Sequence, residues 1–349
     1  MIDTQSISSQ QIPTGKNPAI CLCRVFSMFL IILCHIIDLY PFIPGSQFLP
    51  QLLNVGLYTF LGISGFLYSR KSVSRFSSWF IQRLRKIAAP AVVLSATVFL
   101  VVGLTQKTLD WLSALVYLCN LQGIAFFLPR SWIFFREQEA LAHLWFITVI
   151  LLCYCLIPLL QKARTRFPSG PICLVLFALF TVSAYLLGVF TGVQVFYFLT
   201  FSAGYLFGWF GPDYFIRPLG FSAAAVYTFF MQVLRLWLRS FCDGTPWYES
   251  FVGASHMALG LWLLLCFFLL SKLLPEVTQR MAQSRLIRWL EDTSLYVYMT
   301  HQLFVVTTLC PYRYTENLLL ATLLFFIFSF ASALLLKWFS SKLFRIKAP

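Results

Sequence analysis

Long uninterrupted apolar segments constrain this chain more than any other feature. Each is close to the roughly 20 residues that a helix needs to cross a bilayer. Membrane strands would alternate apolar and polar residues, which these Leu-, Phe-, Val- and Ile-rich runs do not do. The segments therefore predict an all-α, polytopic transmembrane helical bundle. They lie near 19–40, 52–68, 87–106, 109–128, 142–161, 171–190, 194–210, 218–238, 255–274, 294–311 and 317–338.

The composition excludes a soluble fold. Only 11% of the 349 residues are charged and 59% are hydrophobic, which leaves too few charges to coat a globule, so much of the surface must face lipid. The net charge of +14 requires no nucleic-acid partner, because basic residues collect on the membrane face where anionic lipids attract them. We expect an integral, multi-pass membrane protein with membrane lipids around it.

The distribution of Lys and Arg predicts the topology. Segment 109–128 is the weakest of the apolar runs, since it contains Asp110, Asn120 and Gln122. If it does not span, most of the 26 Lys and Arg residues fall on one side, as cytoplasmic loops require. This predicts about ten spans with N- and C-termini cytoplasmic, in a single membrane-embedded domain over 1–349. Residues 1–17 would be a polar cytoplasmic tail without a signal peptide, and 107–141 a long external loop with a re-entrant or interfacial helix.

The first span carries three ionisable side chains, Arg24, His35 and Asp38. Such side chains are costly in lipid and mark candidate functional sites. Eleven residues bring a helix back to within about 20° of the same face, roughly 16 Å further along, so Arg24 and His35 can face one channel. Asp38 follows His35 by three residues and could orient its imidazole. Together the three residues predict a functional site in the first span, although Arg24 taken alone is better explained as a side chain that reaches the lipid headgroups.

Five elements in order resemble the acyltransferase 3 family of integral membrane O-acyltransferases, in the branch that resembles fucose 4-O-acetylases. The Arg24–His35 spacing is the first. The Ser64–Phe66 element closes the second span, and His143 opens the HLWFI sequence of the fourth. The other two are the basic segment FIQRLRKIAAP at 80–90, where Lys86 stands at a position that commonly holds Arg, and SLYVYMTHQLF at 294–304, which contains His301.

The resemblance implies transfer of an acyl group, usually acetyl, from cytoplasmic acetyl-CoA to a hydroxyl of a surface or lipid-linked glycan. His35 would be the general base or the acyl carrier, with Asp38 beside it. A basic cradle would hold the phosphates of the co-substrate, and three side chains would line the acceptor side. The cradle is Arg24, Arg83, Arg85 and Lys86, and the acceptor-side residues are His143, Trp145 and His301.

Further expectations follow from the same residues. No metal is predicted, and His256, near an outer loop end, is predicted to have no direct part. We expect a bacterial inner (plasma) membrane location, with a possible homo-oligomer or glycan-assembly partners. The alternatives are a secondary transporter, for which an inverted repeat would be expected, and a glycan flippase or polymerase. The membrane O-acyltransferases with an Asn and His pair rank third.

Overall fold

The structure is a computed structural model that describes residues 17–38, 48–106, 109–126, 138–166 and 193–344, with positions 136 and 179. Throughout these ranges the regular secondary structure is helical, which confirms the all-α prediction. The α-helices are α1 Pro18–Asp38, α2 Leu49–Leu53, α3 Val55–Ser69, α4 Phe76–Gln106, α5 Trp111–Leu118, α6 Trp145–Cys155, α7 Ile157–Arg166, α8 Val193–Phe210, α9 Pro212–Phe215, α10 Pro218–Cys242, α11 Pro246–Leu273, α12 Pro275–Gln283, α13 Arg285–Thr300, α14 Leu303–Val306 and α15 Leu318–Phe344. Short 3₁₀ helices cover Gln122–Phe126, Glu139–Leu144 and Pro311–Arg313.

Seven helical stretches in the described ranges are long and apolar enough to cross a membrane. Four of them are α1, α10, α11 and α15. The other three are Leu49–Ser69, which joins α2 and α3, Phe76–Thr105, which lies within α4, and Glu139–Arg166, which joins a 3₁₀ helix with α6 and α7. Helix α8 is apolar but shorter. In α10 and α15 only 22% of the most apolar window is buried, so most of each helix presents apolar side chains outward, as lipid contact requires. The chain is therefore an integral membrane protein.

The count of ten spans and the cytoplasmic termini stay predictions. Segment 171–190 lies outside the described residues apart from position 179. Segment 294–311 is not one continuous helix, because α13 ends at Thr300 and α14 begins at Leu303. His301, which lies within the predicted segment 294–311, is the C-cap residue of α13.

Helix α1 is central among the described helices. It packs against α3, α11 and α13, and its buried face contains small and branched side chains such as Cys23, Ser27 and Ile32. Two contacts in the same chain order, Arg24 with Glu291 and His35 with His301, show that α1 and α13 run in the same direction. The shared face predicted for Arg24 and His35 is therefore the face toward α13.

Glycine lets α3 and α8 approach each other closely. A Cβ atom at Gly65 would overlap the carbonyl oxygen of Phe201, and one at Gly204 would overlap the backbone of Gly62. Small residues are the usual means by which membrane helices bring their backbones together. The close α3–α8 pair holds the aromatic residues Tyr58 and Tyr197 beside each other, with ring centroids 5.1 Å apart.

The segment predicted as an external loop is structured over 109–126. Helix α5 has eight residues and rises about 12 Å, well short of a hydrocarbon core. The Asp110 carboxylate caps it by accepting hydrogen bonds from the backbone N–H groups of Leu112 and Ser113. The hydrogen bond from the Ser113 hydroxyl, followed by these backbone bonds, lowers the pKa of Asp110. Further on, Gly123 donates its backbone N–H to Thr148 on α6 at 3.1 Å. The segment thus packs beside the start of α6.

The turns predicted to be cytoplasmic meet at one end of the bundle. Arg164 on α7 donates to the carbonyl of Ser69 at the end of α3, at 2.6 Å, and Gln161 donates to the carbonyl of Lys71. Lys272 at the end of α11 pairs with Asp213 at 3.0 Å. These contacts define a basic end, which also contains Arg24 and Arg83. The opposite end, where α6 and α11 begin, is called the far end below.

Candidate functional site

Three histidines from three separate elements meet at the far end of the bundle. His35 lies near the end of α1, His143 lies in the 3₁₀ helix before α6, and His301 caps α13. The ring centroids of His35 and His301 are 5.2 Å apart, and those of His143 and His301 are 5.1 Å apart. The structure therefore brings the predicted catalytic His35 together with two predicted acceptor-side residues.

Backbone carbonyls of α13 fix the tautomers of two of these rings. The Nδ1 atom of His301 is 2.6 Å from the carbonyl oxygen of Tyr298, and Nε2 of His143 is 2.9 Å from that of Met299. A carbonyl only accepts, so each of these nitrogens must carry the proton in a neutral ring. The lone pairs then lie on Nε2 of His301 and Nδ1 of His143.

Both lone-pair nitrogens are buried and have no hydrogen-bond partner in the described residues. Buried polar atoms without a partner are uncommon and need an explanation. Tyr298 adds rigidity, since its hydroxyl donates to the carbonyl of His143. The cluster is thus a fixed frame of imidazoles with two unused acceptors, suited to hold an N–H or O–H group between them.

Asp38 is exposed at the end of α1, and no hydrogen bond joins its carboxylate to His35 among the contacts of the described residues. Its predicted role in orienting His35 stays a prediction. The ring that does lie beside His35 belongs to His301. The spacing along α1 suggested Asp38 as the neighbour of the His35 ring, whereas the structure has His301 of α13 beside it.

Trp145 opens α6 two residues after His143 and is partly exposed. Its ring lies 5.1 Å from that of Tyr197, which in turn contacts Tyr58. An aromatic wall thus extends from the histidine cluster across α6, α8 and α3. Aromatic faces of this kind are suited to contact the apolar face of a sugar ring.

Arg24 forms an ion pair at the basic end. Its Nη1 donates to Oε1 of Glu291 at 2.9 Å, and the Glu291 side chain is only 5% exposed. Glu291 was not among the predicted site residues because it precedes the apolar segment 294–311. A signal was present, since Glu291 and His301 are ten residues apart, nearly repeating the Arg24–His35 interval on the helix that runs alongside.

The three residues of α4 that were predicted to form the basic cradle differ in burial and in the helix face that they occupy. Arg83 is half-buried and its guanidinium lies over the rings of Tyr68 and Trp79, at 5.6 and 5.8 Å from their centroids. Its Nε atom is buried without a partner in the described structure. Arg85 and Lys86 are exposed. Residues two apart on a helix point about 200° apart, whereas residues three apart share a face, so Lys86 lies on the side of Arg83 and Arg85 does not.

Arg24 and Arg83 converge on one tyrosine. Both lie within electrostatic range of the hydroxyl of Tyr68, which is buried on α3. Arg24 of α1 and Arg83 of α4 therefore both lie near the end of α3 that carries Tyr68, at the basic end. Among the described residues, no group of His, Cys, Asp and Glu side chains has the arrangement of a metal site.

A family model described as an acyltransferase domain matches residues 17–341, nearly the whole chain. The chain belongs to the acyltransferase 3 family. The family assignment makes the chain a membrane acyltransferase, and it confirms the resemblance drawn from the five ordered elements. The branch that resembles fucose 4-O-acetylases stays a prediction. No curated protein and no solved structure shows significant similarity to this acyltransferase.

A second buried polar cluster, which was not predicted from the sequence, also lies at the far end of the bundle. Arg235 of α10 is fully buried, and its Nη1 contacts Nε2 of His256 at 2.6 Å and the carbonyl oxygen of Gln51 at 3.2 Å. His256, expected near a loop end, lies inside α11 and is 3% exposed. The expectation failed because the helix begins at Pro246, nine residues before the apolar run 255–274.

Proposed function

We propose that this acyltransferase moves an acyl group, usually acetyl, from cytoplasmic acyl-CoA to a hydroxyl of a surface or lipid-linked glycan, in a bacterial inner membrane. The observation that carries the proposal is the cluster of His35, His143 and His301 at one end of α1, with the basic residues Arg24 and Arg83 toward the other end. The basic residues suit a donor that carries phosphates, and the histidines suit an acceptor hydroxyl that must lose a proton.

The donor would bind at the basic end. Arg83 and Lys86 share one face of α4, and the unused Nε of Arg83 supplies a charge-assisted hydrogen-bond donor for a phosphate oxygen. The rings under Arg83 hold its guanidinium in place. Arg24 lies deeper, and the roughly 16 Å from Arg24 to His35 along α1 is a span that the pantetheine arm of acyl-CoA can cover.

The histidine cluster would carry the proton transfer. In the direct route, His35 takes the proton of the acceptor hydroxyl while its oxygen attacks the thioester carbonyl. The C–S bond then breaks, and CoA leaves as a thiolate that takes up a proton. In the two-step route the imidazole nitrogen attacks first and carries the acyl group to the acceptor. Both routes use one free nitrogen of His35.

His301 would hold the other ring nitrogen of His35. Its Nδ1–H is committed to the carbonyl of Tyr298, so its unused Nε2 can accept the N–H of the neighbouring His35 ring. This leaves the second nitrogen of His35 as a lone pair for the acceptor hydroxyl. The arrangement gives His301 the positioning role that local spacing had suggested for Asp38.

The proposal is tested by release of free CoA thiol from acetyl-CoA. The purified chain in nanodiscs would be supplied with bacterial glycan extracts, including a fucose-containing one, and compared with His35→Ala. We expect thiol release that needs both an acceptor and His35. Release that is unchanged in His35→Ala would overturn the assigned role of His35. Folded protein that releases no thiol with several acyl donors would overturn acyl transfer from CoA.

A further inference from the structure

The guanidinium of Arg235 is a buried positive charge, and no carboxylate among the described residues pairs with it. An arginine stays protonated in proteins, so the charge cannot be removed by loss of a proton. None of the ion pairs among the described residues includes Arg235; its contacts are the imidazole of His256 and the carbonyl oxygen of Gln51. A buried charge left uncompensated costs several kcal/mol.

Two further donors of the same side chain are unused. The Nε and Nη2 atoms of Arg235 are buried and lack a hydrogen-bond partner in the described structure. An arginine that only braced helices would be expected to satisfy these atoms with carbonyl oxygens, because a buried donor without a partner destabilises the fold. Nε and one Nη together form the fork that binds carboxylate or phosphate in a bidentate manner.

The position of Arg235 separates it from the basic end. It lies 17 residues after Pro218, which places it about 26 Å along α10 from the turns that carry Arg217 and Asp213. A charge at this depth is remote from the proposed CoA phosphate cradle. It lies at the same end as the histidine cluster, where the acceptor would enter.

An aromatic path connects Arg235 to the histidine cluster. The ring of His256 lies 5.4 Å from that of Tyr58, which lies 5.1 Å from Tyr197, and Tyr197 lies 5.1 Å from Trp145. Trp145 is two residues from His143. An acceptor of more than one sugar ring lying along this path could present a hydroxyl to the imidazoles and an anionic group to Arg235.

We infer that Arg235 and His256 form a binding site for an anionic group, a carboxylate or a phosphate, carried by the acyl acceptor. The inference rests on the proposed function and narrows its substrate class to acidic glycans or phosphate-linked sugars. The free nitrogens Nε and Nη2 are enclosed, so binding of the anion requires a neighbouring element to shift, such as the five-residue helix α2, whose Gln51 carbonyl contacts Nη1. The bound anion then becomes the partner of Nε and Nη2.

The test is a binding measurement that needs no acyl donor. The full chain in nanodiscs of zwitterionic lipid is titrated with methyl glucuronide and with methyl glucoside, which differ in the carboxylate, while tryptophan fluorescence and thermal unfolding are followed. We expect about tenfold tighter binding of the glucuronide, equivalent to roughly 1.4 kcal/mol. Inorganic phosphate forms a third arm, and binding of phosphate without glucuronide would assign the site to a phosphate-linked sugar.

Two variants distinguish the effect of the positive charge at position 235 from the effect of the bidentate geometry of the guanidinium. Arg235→Gln should abolish the preference for the anion, and Arg235→Lys, which keeps the charge but not the fork, should weaken it. If Arg235→Gln does not fold, the inference is tested by the preference of the wild-type chain for the glucuronide and by the weakening of that preference in Arg235→Lys. Arg313→Gln is the matched control, since Arg313 is exposed and bonds the carbonyl of Val306. Equal binding of both sugars and no binding of phosphate, or a preference that survives at Arg235→Gln, overturns the inference.

The outcome also separates this inference from the proposed function. Thiol release at equal rates with neutral and acidic acceptors would keep acyl transfer and remove the anion site. Selective anion binding that depends on Arg235, without thiol release from any acyl-CoA, would keep the anion site and remove acyl transfer from CoA.

Discussion

The ring of His35 lies 5.2 Å from the ring of His301, on two helices that run in the same direction through the bundle. The same pair of helices is joined toward its other end by Arg24 and Glu291. One helix interface thus holds both a charged pair at the basic end and an imidazole pair at the far end, separated by three turns of helix.

The His35–His301 pair gives the first prediction. His301→Phe keeps a ring in the space but removes the nitrogen that would accept from His35, so we expect kcat to fall about 10²-fold or more, within the range typical of lost acid–base assistance. The donor KM should change little, because His301 is remote from the basic end. Steady-state kinetics with varied acetyl-CoA measures both values.

Asp38→Asn is the matched comparison for that experiment. It tests the orienting role that local spacing suggested, and because Asp38 is exposed we expect a smaller loss than in His301→Phe. A large loss in Asp38→Asn with a nearly normal His301→Phe would return the orienting role to Asp38.

The second prediction concerns the basic cradle on α4. Arg83→Ala combined with Lys86→Ala removes two cations from one helix face, so we expect the KM for acetyl-CoA to rise about tenfold or more with kcat nearly unchanged. Arg85→Ala is the control on the opposite face and should have a smaller effect. Initial rates over a range of acetyl-CoA concentrations provide the measurement.

Two results would count against this cradle. Equal KM values for wild type and the double variant would show that these cations do not contact the donor. A rise caused by Arg85→Ala alone would move the contact to the other face of α4.

The third prediction concerns the Arg24–Glu291 ion pair. Arg24→Met or Glu291→Gln leaves one partner without its opposite charge, and for a buried pair such a loss costs about 3–5 kcal/mol. Because the Arg24 side chain is 28% exposed, we expect the lower part of that range. The double variant should be less destabilised than the two single changes combined, with a coupling of about 1–3 kcal/mol.

Chemical unfolding of the four proteins in one detergent tests this double-mutant cycle. Asp292→Asn is a useful neighbour control, because it removes an adjacent carboxylate that pairs with Lys337 on α15 instead. Additive effects of the Arg24 and Glu291 changes would show that their contact contributes nothing to stability.

The sequence predicted those features that depend on local patterns. Apolar length predicted membrane helices, and the eleven-residue interval correctly placed Arg24 and His35 on one face of α1. The ordered motifs predicted the family, which the match over residues 17–341 confirms.

Features that depend on contacts between distant helices were not predicted. Glu291 is 267 residues from Arg24, and Arg235 is 21 residues from His256 on a different helix. Helical periodicity shows which face a residue occupies but does not identify the helix that packs against that face. The break at His301 was also missed, because the apolar run continues through it while the ring bonds the carbonyls of Val297 and Tyr298.

The parallel pairing of α1 with α13 has a consequence for how the protein is made. The first described helix obtains its ion-pair and imidazole partners only after more than 260 further residues have been synthesised and inserted. During that time Arg24 lacks Glu291 as a partner, and from the basic end its side chain can reach the lipid headgroups instead. Catalytic competence would therefore arise late in biogenesis, when α13 docks, rather than growing gradually as each helix enters the bilayer.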